Sequence, residues 1–194
     1  MRAELKSSTV DWRSVGDSAN ITMNDLKPRT SEPSTAWAYR MLLAEHSPIR
    51  KLTFDIIMHD LKSWISVHFV RHKIGIEHFV QSQRTDRTGV DRDSLPQNTL
   101  VNHEIVLNAQ ALITISRKRL CNCASPETRA AWKEVLRAVC MESPLIYAAC
   151  VPDCVYRGWC YEMKSCGFHL TKEYLQALDD YRTVNGRVIN GGTV

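Results

Sequence analysis

Ser63-Trp64-Ile65-Ser66-Val67-His68-Phe69-Val70-Arg71-His72-Lys73, followed after seven residues by Gln81-Ser82-Gln83-Arg84, is the stretch on which the reading of this chain turns. Trp64, Val67 and Val70 recur at helical spacing, which predicts a short helix with one buried stripe that ends at Arg71. Two polar, basic clusters then follow an anchored helix end. Cations fixed beside a hydroxyl and two amides can hold a phosphate or a pyrimidine edge through charge-assisted bonds. The competing reading is a solvated basic face, a common fate of such runs.

Working outward, residues 51–59 alternate, with Leu52, Phe54, Ile56 and Met58 on one side, as in a half-buried strand. A helix is expected before it, opening near Ser31-Glu32-Pro33 and running to Glu45, with Ser47-Pro48 as its stop. The first thirty residues read as a loose lead-in with one short strand. Residues 85–94 read as a polar loop, and residues 100–120 as a helix with Ile105, Leu112 and Ile115 on its apolar side. Ser125-Pro126 opens a further helix through Trp132 and Val139, ended or kinked by Pro144. A last helix spans residues 172–181, ahead of a Gly- and Asn-containing end expected to fray. These elements predict an α/β (α+β) fold, a mixed sheet packed with long helices.

The 194 residues suit one domain with an appendage. We divide the chain at a change of character, into a domain over 1–149 and a cysteine-rich extension over 150–194 packed on it. Hydrophobic residues make up 44% and no apolar run approaches a bilayer span, which argues against a membrane protein. The net charge of +4 is too small an excess to imply nucleic-acid binding. Met1-Arg2-Ala3-Glu4-Leu5-Lys6 is not an apolar leader, so a cytoplasmic, reducing setting is expected, with the seven cysteines as thiols or metal ligands.

Several segments together resemble the flavin-dependent thymidylate synthases. Glu45-His46-Ser47-Pro48 resembles that family's His-Ser/Thr-Pro turn, Arg71-His72-Lys73 its Arg-His-Arg, and Gln81-Ser82-Gln83-Arg84 its closing Ser-x-Arg. Leu95-Pro96, Asn108 and Arg119 follow at separations of 12 and 11 positions, in the family's register. Arg50, Gln110 and Cys123 stand where the family has Glu, Arg and His, and Arg71 and Arg84 are 13 positions apart, one more than usual.

The resemblance implies the reductive methylation of dUMP, with methylenetetrahydrofolate as carbon donor, NADPH as reductant and FAD as hydride relay, in a homotetramer whose sites draw on several subunits. It implies that Arg119 is catalytic and polarises the uracil, with Gln81, Ser82 and Arg84 on the dUMP phosphate. Ser47, Arg71, His72, Lys73 and Asn108 are the implied flavin contacts. Two other readings stay open: a hydroxymethylase or other one-carbon transfer on a pyrimidine nucleotide, and a noncatalytic nucleotide-binding oligomer.

The extension poses its own question. Cys150, Cys154, Cys160 and Cys166, at separations of 4, 6 and 6, could hold zinc or an iron–sulfur cluster. No CxxC pair is present among them, so buried free thiols are the other reading.

Overall fold

The computed structural model describes residues 1–184 and 187–188. In chain order the elements are β1 (Arg2–Thr9), α1 (Trp12–Ile21), α2 (Thr35–Leu43), β2 (Thr53–Lys62), α3 (Ser63–Phe69), β3 (Ile76–Val80), α4 (Thr85–Thr88), β4 (Leu100–Asn108), α5 (Ala109–Arg119), α6 (Pro126–Glu142), α7 (Pro144–Ala149), α8 (Asp153–Arg157) and α9 (Lys172–Arg182), then the two-residue strands β5 (Thr183–Val184) and β6 (Arg187–Val188). The end expected to fray lies outside the described residues.

Helices pack on a sheet, as the α/β expectation has it. The four-stranded sheet has the order β1-β2-β4-β3 and is antiparallel at every ladder, where a mixed sheet was expected. An antiparallel sheet tolerates one solvated face, and this one uses that freedom. On the inner face Phe54, Ile56, Met58, His103, Ile105 and Leu107 are buried, and they meet Trp132, Val135 and Val139 of α6 in one core. On the outer face Asp55, Ile57, Glu104 and Val106 are only half-buried, and Glu77 and Phe79 are exposed. No helix long and apolar enough to cross a membrane occurs among the described residues.

Four local expectations need correction. The lead-in is a full edge strand and a ten-residue helix, capped by Asp11 accepting from the Ser14 amide. The cap of α2 is Ser34, accepting from the Trp37 amide, so Pro33 lies before the helix rather than in its first turn. In α3 the buried residues are Ile65, Ser66 and Phe69, while Val67 is 49% exposed. A two-turn helix offers more than one apolar series, and packing of Phe69 against Trp132 at 5.7 Å selects this one. The expected helix over residues 100–120 is strand β4 up to Asn108 and helix only from Ala109.

The helix beginning at Pro126 is as expected, with Ser125 as its cap and Pro144 opening the next helix. A bulge between Met58 and Leu61, with Asp60 at φ 53°, bends β2 into α3 and so aims the end of α3 across the sheet. Beyond Ala149, Val155, Tyr174 and Tyr181 form a satellite core that Leu43 of α2 joins.

Candidate functional site

Arg119 is the last residue of α5, and its guanidinium crosses to the end of α3. Its Nε–H donates to His72 Nε2 at 2.9 Å and an Nη2–H donates to the His68 carbonyl at 2.6 Å. Both bonds lie on one side of the planar fork, so Nη1 is left with no protein partner among the described residues. Burial lowers the Arg119 pKa, and the Arg71 charge adds to the effect, yet a guanidinium stays cationic at neutral pH.

Hydrogen bonds join three histidines beside Arg119. His72 accepts at Nε2, so its proton is on Nδ1. Burial, with Arg119 and His78 as further causes, pushes its pKa down to about 4, so it is neutral near pH 7. The His72 carbonyl can only accept, and it takes a bond from His78 Nε2–H at 2.8 Å. His78 Nδ1 is 3.0 Å from His103 Nε2. His103 is fully buried, its Nδ1 has no partner, and burial followed by His78 lowers its pKa to about 4. A chain of hydrogen bonds thus runs from His103 in the sheet core through His78 to the backbone of His72, the residue that fixes Arg119.

Of the other residues expected at the flavin side, Arg71 and Lys73 are exposed just past α3 and carry no salt bridge among the described residues. Ser47 is exposed at the start of the short 3₁₀ turn Ser47–Lys51. Asn108 is placed differently from expectation. It is the N-cap of α5, not a residue within it, and its Oδ1 accepts from the Ala111 amide at 2.9 Å. Its backbone N–H donates to the Gly75 carbonyl at 3.0 Å. Gly75 has φ +71°, and a Cβ there would lie 2.7 Å from the Asn108 side chain, so glycine is required twice over.

The expected phosphate side lies at the other end of β3. Gln81 extends the β3–β4 ladder: its amide donates to the Asn102 carbonyl at 2.9 Å, and its Oε1 accepts from the Asn102 amide at 3.0 Å. Ser82 Oγ accepts from the Arg84 amide, and Arg84 is held bidentately by Asp86 at 2.9 and 2.6 Å on an exposed turn. At about 3.3 Å per residue, Ser82 is some 20 Å of strand from Gly75. Within one chain the structure therefore does not bring Gln81, Ser82 and Arg84 to Asn108.

The four cysteines expected as metal ligands line one cavity, but no group of three or more His, Cys, Asp or Glu suited to a metal ion occurs among the described residues. Cys150 closes α7 in the core, where burial pushes its thiol up to about 12, so the zinc or iron–sulfur expectation is withdrawn.

No protein-family model matches this sequence, and no curated protein does either. Solved structures do resemble it. A crystal structure of flavin dependent thymidylate synthase ThyX from Helicobacter pylori, complexed with FAD and dUMP, superposes with a TM-score of 0.65 at 12% identity, over 78% of this chain and 100% of that one. The fold is that of the flavin-dependent thymidylate synthases. A second Helicobacter pylori ThyX structure with FAD and dUMP gives a TM-score of 0.64 at 13% identity, over 78% and 99% of the two chains.

On this thymidylate synthase fold, two groups of residues were not singled out from sequence. One is the His78–His103 pair, hidden because a histidine at an inward strand position breaks the apolar alternation. The other is Glu45, at φ 51°, which accepts from Arg117 and Gln110 in a half-buried cluster. The Arg117 guanidinium lies 3.4 Å from the Tyr156 ring centroid, tying α5 to the C-terminal segment. Gln110, where the family has Arg, is therefore committed to Glu45.

Proposed function

We propose that this protein is an FAD-dependent enzyme that methylates dUMP to dTMP, taking the carbon from methylenetetrahydrofolate and the electrons from NADPH. The observation that carries this reading is the fixed, half-buried Arg119 with one free edge, beside a neutral His72, on the fold of enzymes solved with FAD and dUMP. A pre-oriented guanidinium can bind a uracil carbonyl and stabilise the negative charge that develops on the ring as C5 becomes nucleophilic. A neutral His72 adds no competing charge, and its bond to Nε keeps the fork from rotating.

The residues present fit a flavin dinucleotide in one respect: Arg71 and Lys73 are exposed cations, with no salt bridge among the described residues, suited to a diphosphate, and Ser47 offers an exposed hydroxyl. FAD, when bound, would supply the hydride transfer that no side chain can perform. Asn108 would contribute mainly by shaping the Gly75 turn. Arg84 and Ser82 would meet the dUMP phosphate once the ligand competes with Asp86.

The separation of Ser82 and Arg84 from Asn108 along β3 supports a site completed between copies, in a homotetramer. The half-buried outer face of the sheet, with Phe79 58% exposed, supports assembly as well. The reaction belongs to the domain over 1–149, and the extension over 150–194 supports it. The test is direct. Purified protein loaded with FAD should show flavin absorbance bands and form dTMP from dUMP, methylenetetrahydrofolate and NADPH. Arg119→Lys should lower turnover by about 100-fold or more, as loss of a positioned donor does. A protein that takes up no flavin and yields no dTMP overturns the proposal. A hydroxymethylated product would retain the nucleotide site and change only the final reduction.

A further inference from the structure

A cavity of about 510 Å³ lies between α6 and the C-terminal segment, bordered by Leu120, Cys121 and Asn122 just past the end of α5. Its size falls within the range of small-molecule sites, about 300–1,000 Å³. One wall is a stripe of cations on α6, Arg129, Lys133 and Arg137, at i, i+4 and i+8, spanning about 12 Å of helix. Arg137 is tied to Glu134. Arg129 is anchored at its Nη1 by the carbonyls of Asn122 and Ala124, at 3.2 and 3.4 Å, which fixes its position and leaves its other nitrogens available. Lys133 is exposed and has no carboxylate partner among the described residues.

The two acids in the lining do not cancel these charges. Asp153 is matched by Lys118 at 3.6 Å and Arg157 at 3.5 Å, and Glu162 by Lys118 at 4.0 Å. The lining also carries an apolar and aromatic part, Leu136 of α6 with Tyr147 and Phe168 from later in the chain. Cysteines line the rest, and burial pushes Cys154 up to about 11 and Cys150 up to about 12. Neutral thiols act as polarizable apolar surface and not as ligands for a cation. Unmatched positive charge and aromatic rings in one lining select an anion with a planar body.

We propose that this cavity is a second binding site, for a planar organic anion of nucleoside-monophosphate size, with its charged group on Lys133 and Arg129 and its ring against Tyr147 and Phe168. The anionic group is a phosphate or a carboxylate, and the probes separate the two. The site is independent of the Arg119 chemistry, since it shares none of the residues that hold that guanidinium.

The full-length chain is titrated calorimetrically with AMP and dTMP for the phosphate arm, p-aminobenzoylglutamate for the carboxylate arm, and inorganic phosphate as the ring-free control. At least one planar probe should bind in the sub-millimolar range, inorganic phosphate should bind at least about tenfold more weakly, and Lys133→Glu should weaken the planar probe by about tenfold or more. The bound probe should also slow alkylation of Cys160 and Cys166 in the cavity while leaving Cys140, outside it, unchanged. Absence of binding by every planar probe at millimolar concentration overturns the proposal. So does binding that survives Lys133→Glu or leaves Cys160 and Cys166 unprotected, because that ligand sits elsewhere.

Discussion

His103 sits in the core with one ring nitrogen unbonded, and that sets a pH dependence on stability. Its folded pKa of about 4, and that of His72, lie below the ordinary value of 6.5. Between those pH values the unfolded chain binds protons that the folded chain does not, so stability rises with pH across the window. It should be fully present above about pH 6.5 and fall as the pH drops toward 4, by roughly 3 kcal/mol at most for His103. Denaturant midpoints measured at pH 7, 5.5 and 4.5 check this, and His103→Leu should flatten the slope. An equally steep slope in that variant would place the titration elsewhere. His78→Ala should release the His72 carbonyl and loosen Arg119, weakening dUMP binding with little change in overall fold as seen by circular dichroism. At this scale the register with Asn108 singled out Arg119 as a candidate but carried no sign of what holds its guanidinium. The bonding partners come from α3, β3 and β4, and proximity between separate elements is not written in spacing.

The junction of β4 and α5 shows the limit of local patterns. Val101, His103, Ile105 and Leu107 alternate inward, yet a histidine among them and the good helix formers after residue 108 made one long helix the apparent reading. Tertiary pairing with β2 and β3 overrode propensity. Asn108 marks the change by capping α5, so Asn108→Ala should cost about 1 kcal/mol and Asn108→Asp much less. Gly75→Ala, facing both a left-handed φ and the Asn108 side chain, should cost about 1–3 kcal/mol. Thermal unfolding of the three variants tests the pair, and a neutral Gly75→Ala would show that the turn is not held as described. Strand β2 and helix α6 were legible for the opposite reason: each carries an unbroken period and, for α6, a Ser-Pro start.

For the molecule as a whole, the Glu45–Arg117 pair beneath Tyr156 joins the sheet domain to the C-terminal segment, as does the Tyr39 hydroxyl donating to the Tyr181 carbonyl at 2.9 Å. Removing one partner strands the other charge, so Glu45→Gln should destabilise the protein by about 3 kcal/mol and expose the segment to proteolysis. Light scattering should give a mass roughly fourfold that of one chain, and Phe79→Asp on the outer sheet face should reduce it. A monomer of unchanged activity would exclude a site shared between copies. The sequence by itself determined which segments could bury a face and which side chains could meet an anion, because period and residue type are local properties. Tertiary packing alone set Arg119 against His72, left the cysteines around one cavity with no metal-ligating group among the described residues, and put the two basic clusters at opposite ends of one strand. Those outcomes depend on which faces pack together, and packing is settled among elements far apart in the chain.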